Sequence, residues 1–143
     1  MPGIVLTTDL SAESQRAFAP VRELAERLQL EVTLLAVLEA ISFEPVGGSM
    51  MGVYPDRLQL HADWVAKLKE FAESLGAVCN MTVVVDAADV SHAIVDYAKE
   101  HKADYIAMAT HGRAGLRRLL LGSTAELVVR HATVPVVLYP PSE

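Results

Sequence analysis

The sequence predicts an α/β fold: a single domain built on a five-stranded parallel sheet with helices on both faces. Three observations lead there. Short apolar runs alternate from end to end with stretches of helical periodicity, an order that selects parallel strands joined by right-handed crossovers. Runs such as Val32 to Leu38 carry no charge, as expected of strands covered on both sides. A chain of 143 residues fills one domain of ordinary size, ~100–150 residues, so residues 1–143 are expected to form one unit.

Taken in order, Gly3 to Thr8 reads as a strand that stops at Asp9, and Ser11 as the cap of a helix with Glu13 in its first turn. Between Ala12 and Gln29 the apolar positions Ala17, Val21, Leu24, Ala25 and Leu28 recur at helical steps, with Pro20 expected to kink or split the helix near Ala19. Glu31 to Leu38 is an interior strand rich in β-branched and aliphatic residues. Glu39 to Pro55 holds Pro45, Gly47, Gly48 and Gly52 around Met50, Met51 and Tyr54, and reads as a long loop or lid. Asp56 to Leu75 is a helix with Leu60, Trp64, Leu68 and Phe71 on one face, stopped by Gly76. Val78 to Val85 is the next strand, after which Asp89 or Ser91 caps a helix reaching His101. Tyr105 to Ala109 is a strand, Ser123 to Ala132 the final helix and Val134 to Tyr139 the final strand.

Composition narrows the function. With 52% hydrophobic and 21% charged residues the chain is not a disordered one, and a net charge of −6 argues against a general nucleic-acid or membrane-surface binder. Positive charge gathers only at Arg113, Arg117 and Arg118. No apolar run approaches the ~20 residues of a membrane-spanning helix, and the N-terminus enters a strand at once, so a cytoplasmic location without membrane contact is expected. Cys79 is the sole cysteine and lies in an apolar run, which makes it a core thiol and rules out an internal disulfide. The histidines at 61, 92, 101, 111 and 131 show no metal-ligand spacing, and no metal site is expected.

The stretch that carries chemistry is Ala107 to Thr124, in which a strand passes into a basic, glycine-punctuated loop and restarts at Gly122-Ser123-Thr124 as a helix. The head of a helix presents backbone N–H groups without internal partners and so attracts an anion. Ser123 and Thr124 add hydroxyls, Gly112 and Gly122 let the backbone approach a ligand, and Arg113 adds charge. Read singly, the glycines make a turn, Ser123 caps a helix and the arginines face water; together they form a phosphate-sized cradle. In a parallel sheet such sites lie beyond the carboxyl ends of the strands, where Asp9, Val37 and Asp86 to Asp89 would also converge. Neither the P-loop pattern nor G-x-G-x-x-G is present, since Ser123 follows Gly122 without a lysine.

Here the chain resembles the universal stress protein family, whose nucleotide-binding members carry G-x-x-G, nine residues and G-[ST] after the fourth strand. The corresponding residues are Ala109-Thr110-His111-Gly112, the nine from Arg113 to Leu121, and Gly122-Ser123. Val5 to Ser11, Val32 to Val37, Ile94 to Ala98, Ala103 to Met108 and Ala132 to Val137 are similar to further family segments. The resemblance implies a Rossmann-like fold of the adenine nucleotide alpha hydrolase type and a cytoplasmic stress-response protein that holds ATP or AMP, alone or with Mg²⁺. By matched position Asp9 and Val37 would meet the base or ribose, Met108 and Ala109 would flank the ribose, and Gly112, Gly122, Ser123 and Thr124 would hold the phosphates. His111 and Arg113 lie beside the expected phosphates, and Thr7 stands where a proline is common. Ala109 replaces the first motif glycine, and Ala88 falls where a glycine often lies. An extra methyl at Ala109 matters if its backbone needs positive φ or the ligand touches its Cα, and is harmless in extended geometry.

No acid–base pair is placed for efficient hydrolysis and no lysine sits beside the phosphates, so slow or absent ATPase activity is expected. Two functions stay open: a regulatory protein whose loops are ordered by nucleotide, and a dimeric interaction module that binds none. The last strand, Val134 to Tyr139, would leave a bare edge if terminal in the sheet, and a two-fold homodimer through it is expected, as the resemblance also implies.

Overall fold

The computed structural model describes residues 3–39, 57–110 and 121–140. Five parallel strands form one sheet: β1 (Gly3–Thr7), β2 (Glu31–Glu39), β3 (Cys79–Ala87), β4 (Tyr105–Ala109) and β5 (Val136–Tyr139), in the order β3-β2-β1-β4-β5. The helices are α1 (Phe18–Leu28), α2 (Arg57–Ala72), α3 (Val90–Glu100) and α4 (Ser123–His131). Helices α1 and α2 bury Phe18, Val21, Ala25 and Leu68 against Ile4, Leu6 and Leu34 on one face; α3 and α4 bury Ile94, Val95, Ala98 and Val128 against Val5, Leu35 and Ile106 on the other. Alternate residues of β1 and β2 thus feed opposite cores, which is why these strands read as unbroken apolar runs.

The expected order of elements holds throughout, and the differences are local. The first helix begins as a 3-10 turn, Glu13–Ala17, and becomes α-helical at Phe18. Pro20 therefore occupies the first α-helical turn, where a missing N–H costs nothing, so the split falls two residues before Ala19 would have placed it. Leu28 lies 44% exposed rather than on the buried face, because the helix ends there and Gln29 caps it at φ 57°. Cys79 starts the edge strand β3 and is half-buried against the core, and desolvation pushes its thiol pKa up, as befits an unreactive thiol. The expected lid at Glu39 to Pro55 falls almost wholly outside the described residues.

After α2 the chain tightens into a 3-10 turn, Glu73–Val78, and Gly76 turns it toward β3 at φ 64°, ψ −144°, a conformation essentially confined to glycine. A Cβ built there meets only the Arg22 guanidinium, at 3.6 Å. Gly76→Ala is therefore expected to destabilise the fold through backbone strain rather than a clash, by ~2 kcal/mol in chemical denaturation; an unchanged midpoint would contradict this.

Candidate functional site

The chain runs from β1 outward to β2 and β3, then returns to β1's other flank for β4 and β5. The direction of winding reverses between β1 and β4, and beyond their carboxyl ends lies the crevice where such sheets bind ligands. Thr7 ends β1, Asp9 follows it, and Met108 and Ala109 end β4, so these residues stand at the carboxyl ends of two adjacent strands. Val37 sits near the end of β2, next to β1.

Helix α4 is tied to this place by its backbone. Thr110 N–H donates to Tyr139 O at 3.1 Å, and Gly122 N–H donates to Thr110 O at 2.9 Å, which pins the helix start to the end of β4. The first intrahelical bond runs from Glu126 N–H to Gly122 O, at 2.9 Å. The N–H groups of Ser123, Thr124 and Ala125 precede it and have no acceptor within the helix. Gly122, not Ser123, is the N-cap, and having no side chain it offers these amides nothing. Its φ of −61° and ψ of 155° suit any residue. Ser123 is exposed and Thr124 half-buried, both in the first turn.

Ala109 lies in the extended backbone of β4 and is not among the residues with positive φ. The conformational objection to an alanine at this motif position therefore falls away. His111, Gly112 and Arg113 lie outside the described residues.

Two features of the carboxyl side carried no clear signal in the sequence. Asp86, at the end of β3, pairs with His61 Nδ1 at 3.2 Å and Arg57 at 3.5 Å from α2; a separation of 25 residues hides such a contact from any local pattern. Around Asp9, Ser11 Oγ donates to the Asp9 carboxylate and accepts Ser14 N–H at 3.2 Å, while Ser14 Oγ donates to Ser11 O at 2.8 Å and lies 2.6 Å from Thr8 Oγ1; of these only the bond from Ser14 N–H to Ser11 was legible, from the spacing of Ser11 to the helix. No group of three potential metal ligands occurs among the described residues.

At the head of α3 the choice between two caps resolves to Asp89, whose Oδ1 accepts His92 N–H at 3.0 Å and Ser91 Oγ–H at 2.8 Å. The backbone bond from His92, then the Ser91 hydroxyl and the His92 side chain, lower its carboxyl pKa from 3.8 to about 2. A depressed pKa means stability that is present above 3.8 and lost as pH falls toward about 2. Asp89→Ala should lower the melting temperature at neutral pH, and the gap to the parent chain should close as pH falls through that window. A gap of constant size would contradict the assignment.

With this geometry in place the comparison with known proteins is direct. The model of the universal stress protein family matches residues 2–140. The chain belongs to that family. A universal stress protein of Methanocaldococcus jannaschii is 32% identical over 137 residues, covering 94% of this chain and 79% of the relative. Among solved structures, the universal stress protein from Archaeoglobus fulgidus in complex with dAMP superimposes with a TM-score of 0.68 at 20% identity, covering 96% of this chain and 97% of the other. A universal stress protein in complex with cAMP gives 0.70 at 21% identity, covering 99% and 98%. At these identities the superpositions establish the Rossmann-like fold, in which this family member agrees with its relatives. No helix among its described residues is long and apolar enough to cross a membrane.

Proposed function

We propose that this universal stress protein is a cytoplasmic regulatory protein of the stress response that binds ATP or AMP, with or without Mg²⁺, at the carboxyl end of its sheet. The observation that carries this reading is the trio of amides at Ser123, Thr124 and Ala125, which have no acceptor within the helix, at a helix start tied to the end of β4 by the Gly122 to Thr110 bond. Adenine nucleotides in the two superimposed relatives support it. In this reading Asp9 and Val37 meet the base or ribose, Met108 and Ala109 flank the ribose, and Thr7 belongs to the same site. Gly112, Gly122, Ser123 and Thr124 hold the phosphates, with His111 and Arg113 adding charge beside them.

The nucleotide serves as a ligand that orders loops rather than as a fuel. At ~100 times Kd a ligand stabilises the bound form by ~2.7 kcal/mol, enough to set a loop's population. We assign residues 1–143 to one universal stress protein domain. The test is to purify the chain without added ligand, denature it and identify what is released by mass and absorbance. Adenine nucleotide in near-stoichiometric amount is the expected result; an empty protein that also fails to take up ATP or AMP on titration would overturn the reading.

One observation gives the alternative, a nucleotide-free dimeric module, its standing. β5 is a terminal strand of the sheet, and its residues are only half-buried. We propose that the Val134 to Tyr139 segment pairs with its copy across a two-fold axis, covering the open edge; Pro135 removes one donor, which an edge tolerates. Sedimentation at micromolar concentration should give the dimer mass, and a monomer would contradict the pairing. Dimerisation without nucleotide uptake would favour the module.

A further inference from the structure

Two imidazoles from separate helices meet on the face of the sheet that α3 and α4 cover. His92, in the first turn of α3, and His131, in the last turn of α4, have ring centroids 5.5 Å apart and planes 25° from parallel. Both are exposed, so an ion in solution reaches them. Helix packing brings the pair together, which is why no spacing of histidines along the chain reveals it. The tautomer of His92 is fixed by its neighbour: Nδ1 lies 3.2 Å from Asp89 Oδ1, and that carboxyl, with its pKa lowered to about 2, is ionised at neutral pH. A carboxylate can only accept, so Nδ1 carries the proton and Nε2 keeps its lone pair. This is the arrangement of a metal-binding histidine, whose other nitrogen donates to a carboxylate that orients the ring and raises its basicity.

We propose that His92 and His131 form a zinc site, His92 binding through Nε2 with Asp89 behind it and water filling the positions that the two imidazoles leave. The spacing fits: two imidazoles on a tetrahedral zinc, at a Zn–N distance of about 2.0–2.1 Å, have centroids about 5.2 Å apart, against 5.5 Å here. His131 takes no hydrogen bond among the described residues, and an exposed imidazole turns over a broad range of χ2, so its nitrogen can be brought onto the same ion. The charges around the pair suit a cation. His131 stands at the carbonyl end of α4, which favours positive charge, the adjacent Arg130 is paired with Glu126 at 2.9 Å, and Asp89 offsets the positive head of α3. Imidazole ligands select zinc and its transition-metal neighbours over magnesium and calcium, which require oxygen. The site stands at the opposite end of α4 from Ser123 and does not depend on the nucleotide reading; a bound ion ties α3 to α4 from outside the core.

The test is calorimetric titration of the untagged full chain, free of nucleotide, with zinc chloride, beside melting curves with and without the metal. One zinc per chain and a higher melting temperature are expected, with no such response to magnesium or calcium. His92→Ala and His131→Ala should each weaken zinc binding by at least about 10-fold while melting like the parent without metal, because both side chains are exposed. Asp89→Asn, which keeps a capping oxygen but loses the charge, should weaken it by about 10-fold. His61→Ala removes the imidazole that pairs with Asp86 and should leave zinc affinity unchanged. In nitrogen NMR of the imidazoles, zinc should shift Nε2 of His92 and leave its Nδ1 protonated. A parent that takes up no zinc would overturn the site and leave a stacked pair only. So would binding that survives either histidine substitution, or binding that only His61→Ala removes; Asp89→Asn with parental affinity would overturn the role given to Asp89.

Discussion

Gly122→Asp is expected to abolish nucleotide binding while leaving α4 at least as stable as in the parent chain. Gly122 is the N-cap, at a φ and ψ that aspartate adopts without strain. Aspartate is among the best N-cap residues, and its gain over glycine is a few tenths of a kcal/mol. Its carboxylate would take up the very amides assigned to the phosphates and set a negative charge beside them. Two like charges ~4 Å apart near a protein surface repel by about 4 kcal/mol, so ATP affinity should fall by at least ~100-fold. Thermal melting and ATP titration of the same sample separate the two effects. A variant that melts normally and still binds ATP like the parent would show that the phosphates do not lie at the head of α4.

The largest expected loss of stability comes from Leu6→Ala. Leu6 lies in the central strand, fully buried, in register with Leu34 of β2 and Ala107 of β4. It packs in the core beneath α1 and α2 together with Val21 and Leu68. Strands on both sides leave the site little freedom to collapse, so removing the side chain loses its transfer energy and opens a cavity. Such truncations cost ~2–5 kcal/mol, which for a chain of this size lowers the melting temperature by about 5–15 °C. Chemical denaturation should show the lower midpoint with an unchanged slope. A loss under ~1 kcal/mol would mean that the two cores do not depend on β1 as described.

The fold was legible because its signals are local. Charge-free runs such as Val32 to Leu38 mark buried strands, and Gly76 turns the chain toward β3 within the 3-10 segment that follows α2, in a conformation denied to other residues; α2 itself ends earlier than expected, at Ala72. Boundaries moved by a few residues where two local rules compete, as at Pro20, which splits a helix in its interior but is welcome in its first turn. The head of α4 was legible from Gly122-Ser123-Thr124. That Gly122 rather than Ser123 caps the helix was not, because it depends on the bond from Gly122 to Thr110 across a loop. The Asp86 pairing with Arg57 and His61 depends on sheet order, which no local pattern encodes. Ala109 shows the reverse case: in sequence it departs from the family motif, and in the structure its extended strand geometry removes the conformational objection.

Nucleotide binding at the head of α4 is the claim on which the rest turns, and calorimetric titration of the purified chain with ATP and AMP in the presence of magnesium tests it most directly. Saturable heat for at least one of them, accompanied by a rise in melting temperature, is the result expected. No heat and no thermal protection from either would contradict the account and leave this universal stress protein with its fold alone.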